Sequence, residues 1–228
     1  MKILVADDDP QILDALTAGF QMQWRDSTVI TGQDGETGLQ RFYEDQPDVV
    51  VLDVAMPRRN GLEVLEEIRR VSNVPVIVMT ARGEEGDQIR ALELGADDYV
   101  VKPFGHLALL ARIKSVLSQT ALATPGEALQ PFVDGDLTIN FQSYQVTLRG
   151  NIVKLTPVEY RLLYELVRSD GRQLTKQDLH DRVWGEGHHV TLDHLEIFMN
   201  RLRAKLETYN TRYIQATRGS GYRLVKSG

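Results

Sequence analysis

Five short runs rich in Val and Ile punctuate the first 118 residues: Lys2–Ala6, Ser27–Thr31, Asp48–Asp53, Val74–Met79 and Tyr99–Val101. Runs of this kind without polar alternation read as strands covered on both faces, the mark of a parallel sheet. Between them, near 10–21, 34–44, 61–71 and 84–94, apolar residues recur at helical spacing, and a fifth such stretch follows near 105–118. Repeated β-α units of this size predict a doubly wound α/β domain with a five-stranded parallel sheet.

The pattern stops at about residue 119. The segment 120–131 holds two prolines and no periodic apolar face, so it reads as a linker between a domain at 1–119 and another at 132–228. The second domain begins with short alternating segments near 136–153, read as a small antiparallel sheet. Helical patterns follow at 157–168, 175–183 and 191–206. Two closing segments, Arg212–Ala216 and Tyr222–Val225, flank a Gly-bearing turn. Three helices and a terminal hairpin predict an α+β winged helix-turn-helix.

Charge divides along the same line. Residues 1–130 carry 12 Lys/Arg against 21 Asp/Glu, or −9, whereas residues 131–228 carry 14 against 11, or +3. An acidic front and a modestly basic back point to nucleic acid as a partner of the second domain alone. No stretch approaches the roughly 18 apolar residues of a membrane helix, and the N-terminus lacks a signal peptide's layout. A cytoplasmic protein with no membrane partner is expected. With no cysteine in the chain, disulfides and thiolate metal sites are excluded.

In an open α/β sheet, ligands gather beyond the carboxyl ends of the strands. Those ends carry Asp7, Asp8 and Asp9 after the first run, Asp53 at the third, Thr80 at the fourth and Lys102-Pro103 at the fifth. Asp9 before Pro10 reads as a helix N-cap. The remaining carboxylates would repel one another without a cation. An all-oxygen site of this kind suits Mg²⁺, which retains waters and accepts a phosphate oxygen. Asp53 is then placed to attack phosphorus, with Lys102 and Thr80 able to hold the phosphoryl group.

The segments ILVADDDP, VVVLDVAMPRRNG, VMTAR and DDYVVKPF resemble those of response-regulator receiver domains, in order and spacing. Together with the second half, the chain resembles the OmpR/PhoB family of transcriptional regulators. The resemblance implies a flavodoxin-like receiver with strand order 2-1-3-4-5 and Asp53 as the phosphorylated residue. It implies Mg²⁺ on Asp7, Asp8, Asp53 and the Ala55 carbonyl, and a switch formed by Thr80 and Tyr99 beside Lys102. It also implies a phospho-acceptor rather than an enzyme, at most phosphorylating and dephosphorylating itself. The implied partners are a sensor histidine kinase, double-stranded DNA, RNA polymerase and, on phosphorylation, a second copy of the chain. Asn60 departs from the family pattern as a turn variant, and Ala55 leaves the acceptor more open on one side.

Along 191–206, helical spacing gathers Leu192, Leu195, Met199, Leu202 and Leu206 into a core stripe. The other side presents Asp193, His194, Ile197, Asn200, Arg201 and Ala204, flanked by Arg203 and Lys205. Ile can meet a thymine methyl, Asn can pair with adenine and Arg with guanine, so His194, Ile197, Asn200, Arg201, Arg203 and Lys205 are candidate DNA contacts. Arg218, in the string TRGSGYRL that resembles the family's terminal hairpin, is the candidate wing tip. Asp193 and Phe198 depart from the family's usual recognition helix. Asp97, Asp98 and Arg112 are candidates for a dimer face, which Gln88, Ala108 and Gln119 would weaken by replacing charged residues. Two other readings stay open. A haloacid dehalogenase-type phosphatase would need an Asp where Ala55 stands, and a degenerate receiver would not keep the whole set Asp7, Asp8, Asp53, Thr80 and Lys102.

Overall fold

The computed structural model describes residues 1–81, 85–120, 130–185, 190–207, 211–217 and 220–225. Two compact units emerge, Met1–Leu117 and Ser118–Gly228. Residues 121–129 of the expected linker lie outside the described residues.

In the first unit the chain alternates strand and helix: β1 (Lys2–Ala6), α1 (Pro10–Gln23), β2 (Thr28–Gly32), α2 (Gly35–Asp45), β3 (Val49–Asp53), α3 (Gly61–Val71), β4 (Val76–Ala81), α4 (Glu85–Leu94), β5 (Asp98–Lys102) and α5 (His106–Thr120). All neighbouring strands pair in parallel, in the order β2-β1-β3-β4-β5. Every residue of β3 is buried, as the unbroken apolar run requires of a strand covered on both faces. One face packs Ile3, Val5, Val49, Val51, Ile77, Met79 and Val100 against Leu13, Leu16 and Phe20 of α1 and Leu109 and Ile113 of α5. The alternate residues Leu4, Val50, Leu52 and Val78 are equally buried on the opposite face, where α2 packs on α3 and α3 on α4.

β4 starts two residues later than its apolar run suggests. Pro75 has no N–H for the ladder and only accepts, its carbonyl taking the Val50 N–H at 2.9 Å. At its far end β4 continues through Thr80 and Ala81, which pair with Val101 and Lys102 of β5, so Thr80 lies inside the strand rather than after it. β5 is longer than the run Tyr99–Val101 at both ends, because Ile77 pairs with Asp98 and Ala81 with Lys102.

The second unit opens with β6 (Phe132–Asp134), β7 (Leu137–Asn140), β8 (Gln145–Leu148) and β9 (Asn151–Ile152), an antiparallel meander. Then come α6 (Pro157–Arg168), α7 (Lys176–Trp184), α8 (Leu192–Leu206) and the hairpin β10 (Ile214–Thr217) and β11 (Gly221–Leu224). β6 was too short to read from its pattern. Gly221 (φ +119°) meets the segment before α7 so closely that an added Cβ would stand 1.9 Å from the Leu174 carbonyl oxygen. Thr191 caps α8, its hydroxyl accepting from His194 N while His194 Nδ1 accepts from Thr191 N. No helix among the described residues is long and apolar enough to cross a membrane.

Candidate phospho-acceptor site and nucleic-acid face

β1 ends at Ala6, so Asp7 and Asp8 fall in the turn leading to α1. Asp9 closes that turn as the N-cap, its carboxylate accepting from Gln11 N at 2.8 Å. Asp7 accepts from Asp9 N at 2.9 Å through Oδ1, which leaves Oδ2 to the Lys102 ammonium at 2.7 Å. The same ammonium lies 2.8 Å from Asp53 Oδ1. Asp7 and Asp53 are buried and Asp8 is exposed, and carboxylate oxygens of all three lie within 4.8 Å of one another. Glycine is required at the start of α3, because a Cβ on Gly61 would stand 2.0 Å from the Asp53 carbonyl oxygen. Asn60 proves to be the cap of α3, in a reciprocal pair with Glu63.

Burial raises the Asp53 carboxyl above its ordinary value; the Lys102 hydrogen bond and charge oppose this, and Asp7 and Asp8 reinforce it. Burial pulls the Lys102 ammonium down, but its bonds to Asp53 and Asp7 outweigh that, and it ends raised. One ammonium thus faces three carboxylates, an excess of negative charge that a divalent cation would complete. Thr80 Oγ1 is buried and has no hydrogen-bond partner among the described residues. A buried hydroxyl left so costs about 1–3 kcal/mol, and an incoming phosphoryl oxygen would recover it. These donors fit Mg²⁺ and a phosphoryl group together. Register pairs Val78 with Tyr99 and Thr80 with Val101, so Tyr99 and Thr80 share one face of the sheet on adjacent strands. Tyr99 is buried, and its phenol is raised by that burial and by Asp98.

On α8 the core stripe differs from its expected members. Leu195, Met199, Leu202 and Leu206 are fully buried, but Leu192 is exposed and Phe198 takes its place in the core. Phe198 packs 5.3 Å from the Trp184 ring of α7, so it cannot stand in the reading face. Arg201 and Lys205 also turn inward. Both oxygens of the buried Glu159 are engaged, by Arg201 Nη2 at 2.8 Å and Lys205 Nζ at 2.6 Å. The expectation that these two cations meet DNA is therefore corrected. The outer side keeps Asp193, Asn200 and Ala204 exposed and Ile197 half-buried, with Arg203 paired to Glu207 at 3.3 Å. Glu196, an acid the sequence reading passed over, is exposed on α8 and pairs with Lys176 of α7. Arg218 lies outside the described residues.

Both units of the chain are similar to known proteins. Residues 3–114 match the response regulator receiver domain, and residues 150–224 match the transcriptional regulatory protein C-terminal domain. The probable transcriptional regulator ycf27 of Guillardia theta is 39% identical, covering 97% of this chain and 89% of its own. The alkaline phosphatase synthesis transcriptional regulatory protein PhoP of Bacillus subtilis (strain 168) is 36% identical, covering 98% and 96%. Among solved structures, the response regulator DrrB of Thermotoga maritima, an OmpR/PhoB homolog, is 31% identical with a TM-score of 0.51 and covers 98% of each chain. The chain belongs to the OmpR/PhoB family of response regulators.

Within an OmpR/PhoB regulator the acidic residues before β5 were expected on a dimer face. Asp97 is instead fully buried. It accepts from Val76 N at 3.0 Å and from Arg69 Nη2 at 2.8 Å, while Arg69 also donates to the carbonyls of Gly95 and Val74. A carboxylate so enclosed cannot reach a second copy, so Asp97 holds α3 to the β4–β5 edge. Asp98 is buried as well, accepting from Tyr99 N at 2.7 Å and lying 3.5 Å from Arg112 Nη1. Only their charge was visible in the sequence; the neighbours that bury them come from α3 and α5.

Proposed function

We propose that this response regulator accepts a phosphoryl group on Asp53 from a sensor histidine kinase and thereby controls DNA binding by its winged helix. The observation that carries this reading is the convergence of Asp7, Asp8, Asp53 and Lys102 at the carboxyl ends of β1, β3 and β5, with the Thr80 hydroxyl, which has no hydrogen-bond partner among the described residues, near the carboxyl end of β4 between them. An Asp53 oxygen attacks phosphorus in line, forming a P–O bond as the P–N bond of the donor phosphohistidine breaks. Asp7, Asp8, Asp53 and the Ala55 carbonyl would hold Mg²⁺, which when bound neutralises the negative charge of the transferring group. Lys102 stays within reach of the new phosphoryl oxygens. Thr80 turns its hydroxyl to them, and Tyr99, already buried on the same face, is held in that inward position.

Fixing Thr80 and Tyr99 in this way favours a homodimer through α4, β5 and α5, where Ile89 and Leu107 are exposed apolar residues. The dimer sets two winged helices on a repeated site, placing His194, Ile197, Asn200 and Arg203 near the major groove, with Arg218 as wing contact. RNA polymerase is the partner downstream, and the cytoplasm is the compartment in which kinase, DNA and polymerase meet. Sedimentation with beryllofluoride and Mg²⁺ tests the dimer step. A shift from monomer to dimer is expected; an unchanged monomer would overturn it.

A further inference from the structure

Glu159 sits in the first turn of α6, fully buried, and meets three charged or polar groups. Its Oε2 accepts from Thr156 N at 2.9 Å, closing the start of α6. The same oxygen receives Lys205 Nζ at 2.6 Å, and Lys205 donates in addition to the Lys154 carbonyl at 3.0 Å. The other oxygen forms an ion pair with Arg201 Nη2 at 2.8 Å, and that guanidinium lies over the Phe198 ring at 5.4 Å. Arg201 and Lys205 are one helical turn apart, so a single carboxylate grips one flank of α8 at two successive turns. Both ammonium and guanidinium charges hold the carboxyl below its ordinary value despite its burial.

The exposed side of α8 has the opposite balance. Asp193 and Glu196 stand there, and Arg203 is tied to Glu207. Phosphate contacts by Lys and Arg give sequence-independent affinity, whereas base-edge contacts give sequence information. A helix that withholds two of its cations reads DNA mainly through Ile197, Asn200 and its other short side chains.

We propose that Glu159 is a specificity-determining residue of the DNA-binding unit: by holding Arg201 and Lys205 inward it suppresses non-specific phosphate binding and fixes the orientation of α8. This inference rests on α8 being the helix that meets DNA. Without the carboxylate, the half-buried Arg201 and Lys205 lose the charge that holds them inward and swing outward, where phosphates receive them.

The test uses the full-length chain and a random-sequence duplex, with affinity measured by fluorescence anisotropy across a salt series. In Glu159→Gln, non-specific binding is expected to tighten roughly tenfold near 0.1 M salt, and the log–log salt slope to steepen by about 0.9 to 1.8, one or two phosphates. A merely structural role would alter the folded fraction but not the slope. An unchanged slope in folded Glu159→Gln overturns the proposal. Should that variant fail to fold, Lys205→Met decides: an unchanged slope supports the proposal, because Lys205 does not touch phosphate, and a loss of about 0.9 overturns it. Wild-type protein that binds no duplex even at low salt would instead strike at the DNA-binding reading of α8.

Discussion

Lys102 Nζ lies 2.8 Å from Asp53 Oδ1, the side chain of the last residue of β5 reaching across β4 to that of the last residue of β3. The pair gives the buried Asp53 carboxylate a counter-charge at the strand end. With Asp7 held by the same ammonium, loss of Lys102 would leave two buried anions with no cation. Lys102→Met is expected to lower stability by about 3 kcal/mol without metal. Added Mg²⁺ should raise its melting temperature more than it raises that of wild type, because the ion then supplies the only counter-charge. Thermal melts with and without Mg²⁺ check both.

Asp53 itself costs the protein stability when no metal is added. Its carboxyl is raised from 3.8 chiefly by burial, so in the window above 3.8 the folded chain binds more protons than the unfolded one. Stability from this group therefore falls as pH rises through that window. Asp53→Asn should melt about 2–5 °C higher than wild type at neutral pH without metal, and the gap should close as pH falls towards 3.8. Calorimetry as a function of pH reads this directly.

Gly61→Ala places a methyl group where the Asp53 carbonyl oxygen now stands. The backbone of β3 or the start of α3 must move, at a cost of about 3 kcal/mol. Phosphorylation should fall with it, since the displaced residue is the acceptor. Denaturant melts and phosphoryl incorporation, measured on the same preparation, test the link.

Glu159 carries the opposite sign from Asp53. Its carboxyl is held below 4.5 by Arg201 and Lys205 in spite of burial, so it contributes stability above pH 4.5 that is lost as pH falls through its depressed value. Glu159→Gln should cost about 3 kcal/mol at neutral pH and show a flatter acid limb than wild type. Urea melts of the second unit between acid and neutral pH provide the comparison.

Much of the receiver was legible because its chemistry sits at strand ends, and strand ends follow from apolar runs. Asp7, Asp8, Asp53 and Lys102 come together as those ends imply. Thr80 lies inside β4 because the ladder with β5 runs on through Val101 and Lys102, a detail of hydrogen bonding rather than of hydropathy. The winged unit was legible in its helices but not in the roles of their charges. Periodicity puts Leu192 and Phe198 on opposite flanks of one stripe, and only the position of Trp184 decides that Phe198 is buried. Arg201 and Lys205 look like surface cations until α6 brings Glu159 beneath them. The same holds for Asp97, whose partner Arg69 belongs to α3.

The central claim is that Asp53 is the phospho-acceptor. Intact-mass spectrometry after incubation with acetyl phosphate and Mg²⁺, beside an Asp53→Ala control, tests it most directly. The account predicts the mass of one added phosphoryl group in wild type and none in the variant. An adduct of the same size retained in Asp53→Ala would contradict it.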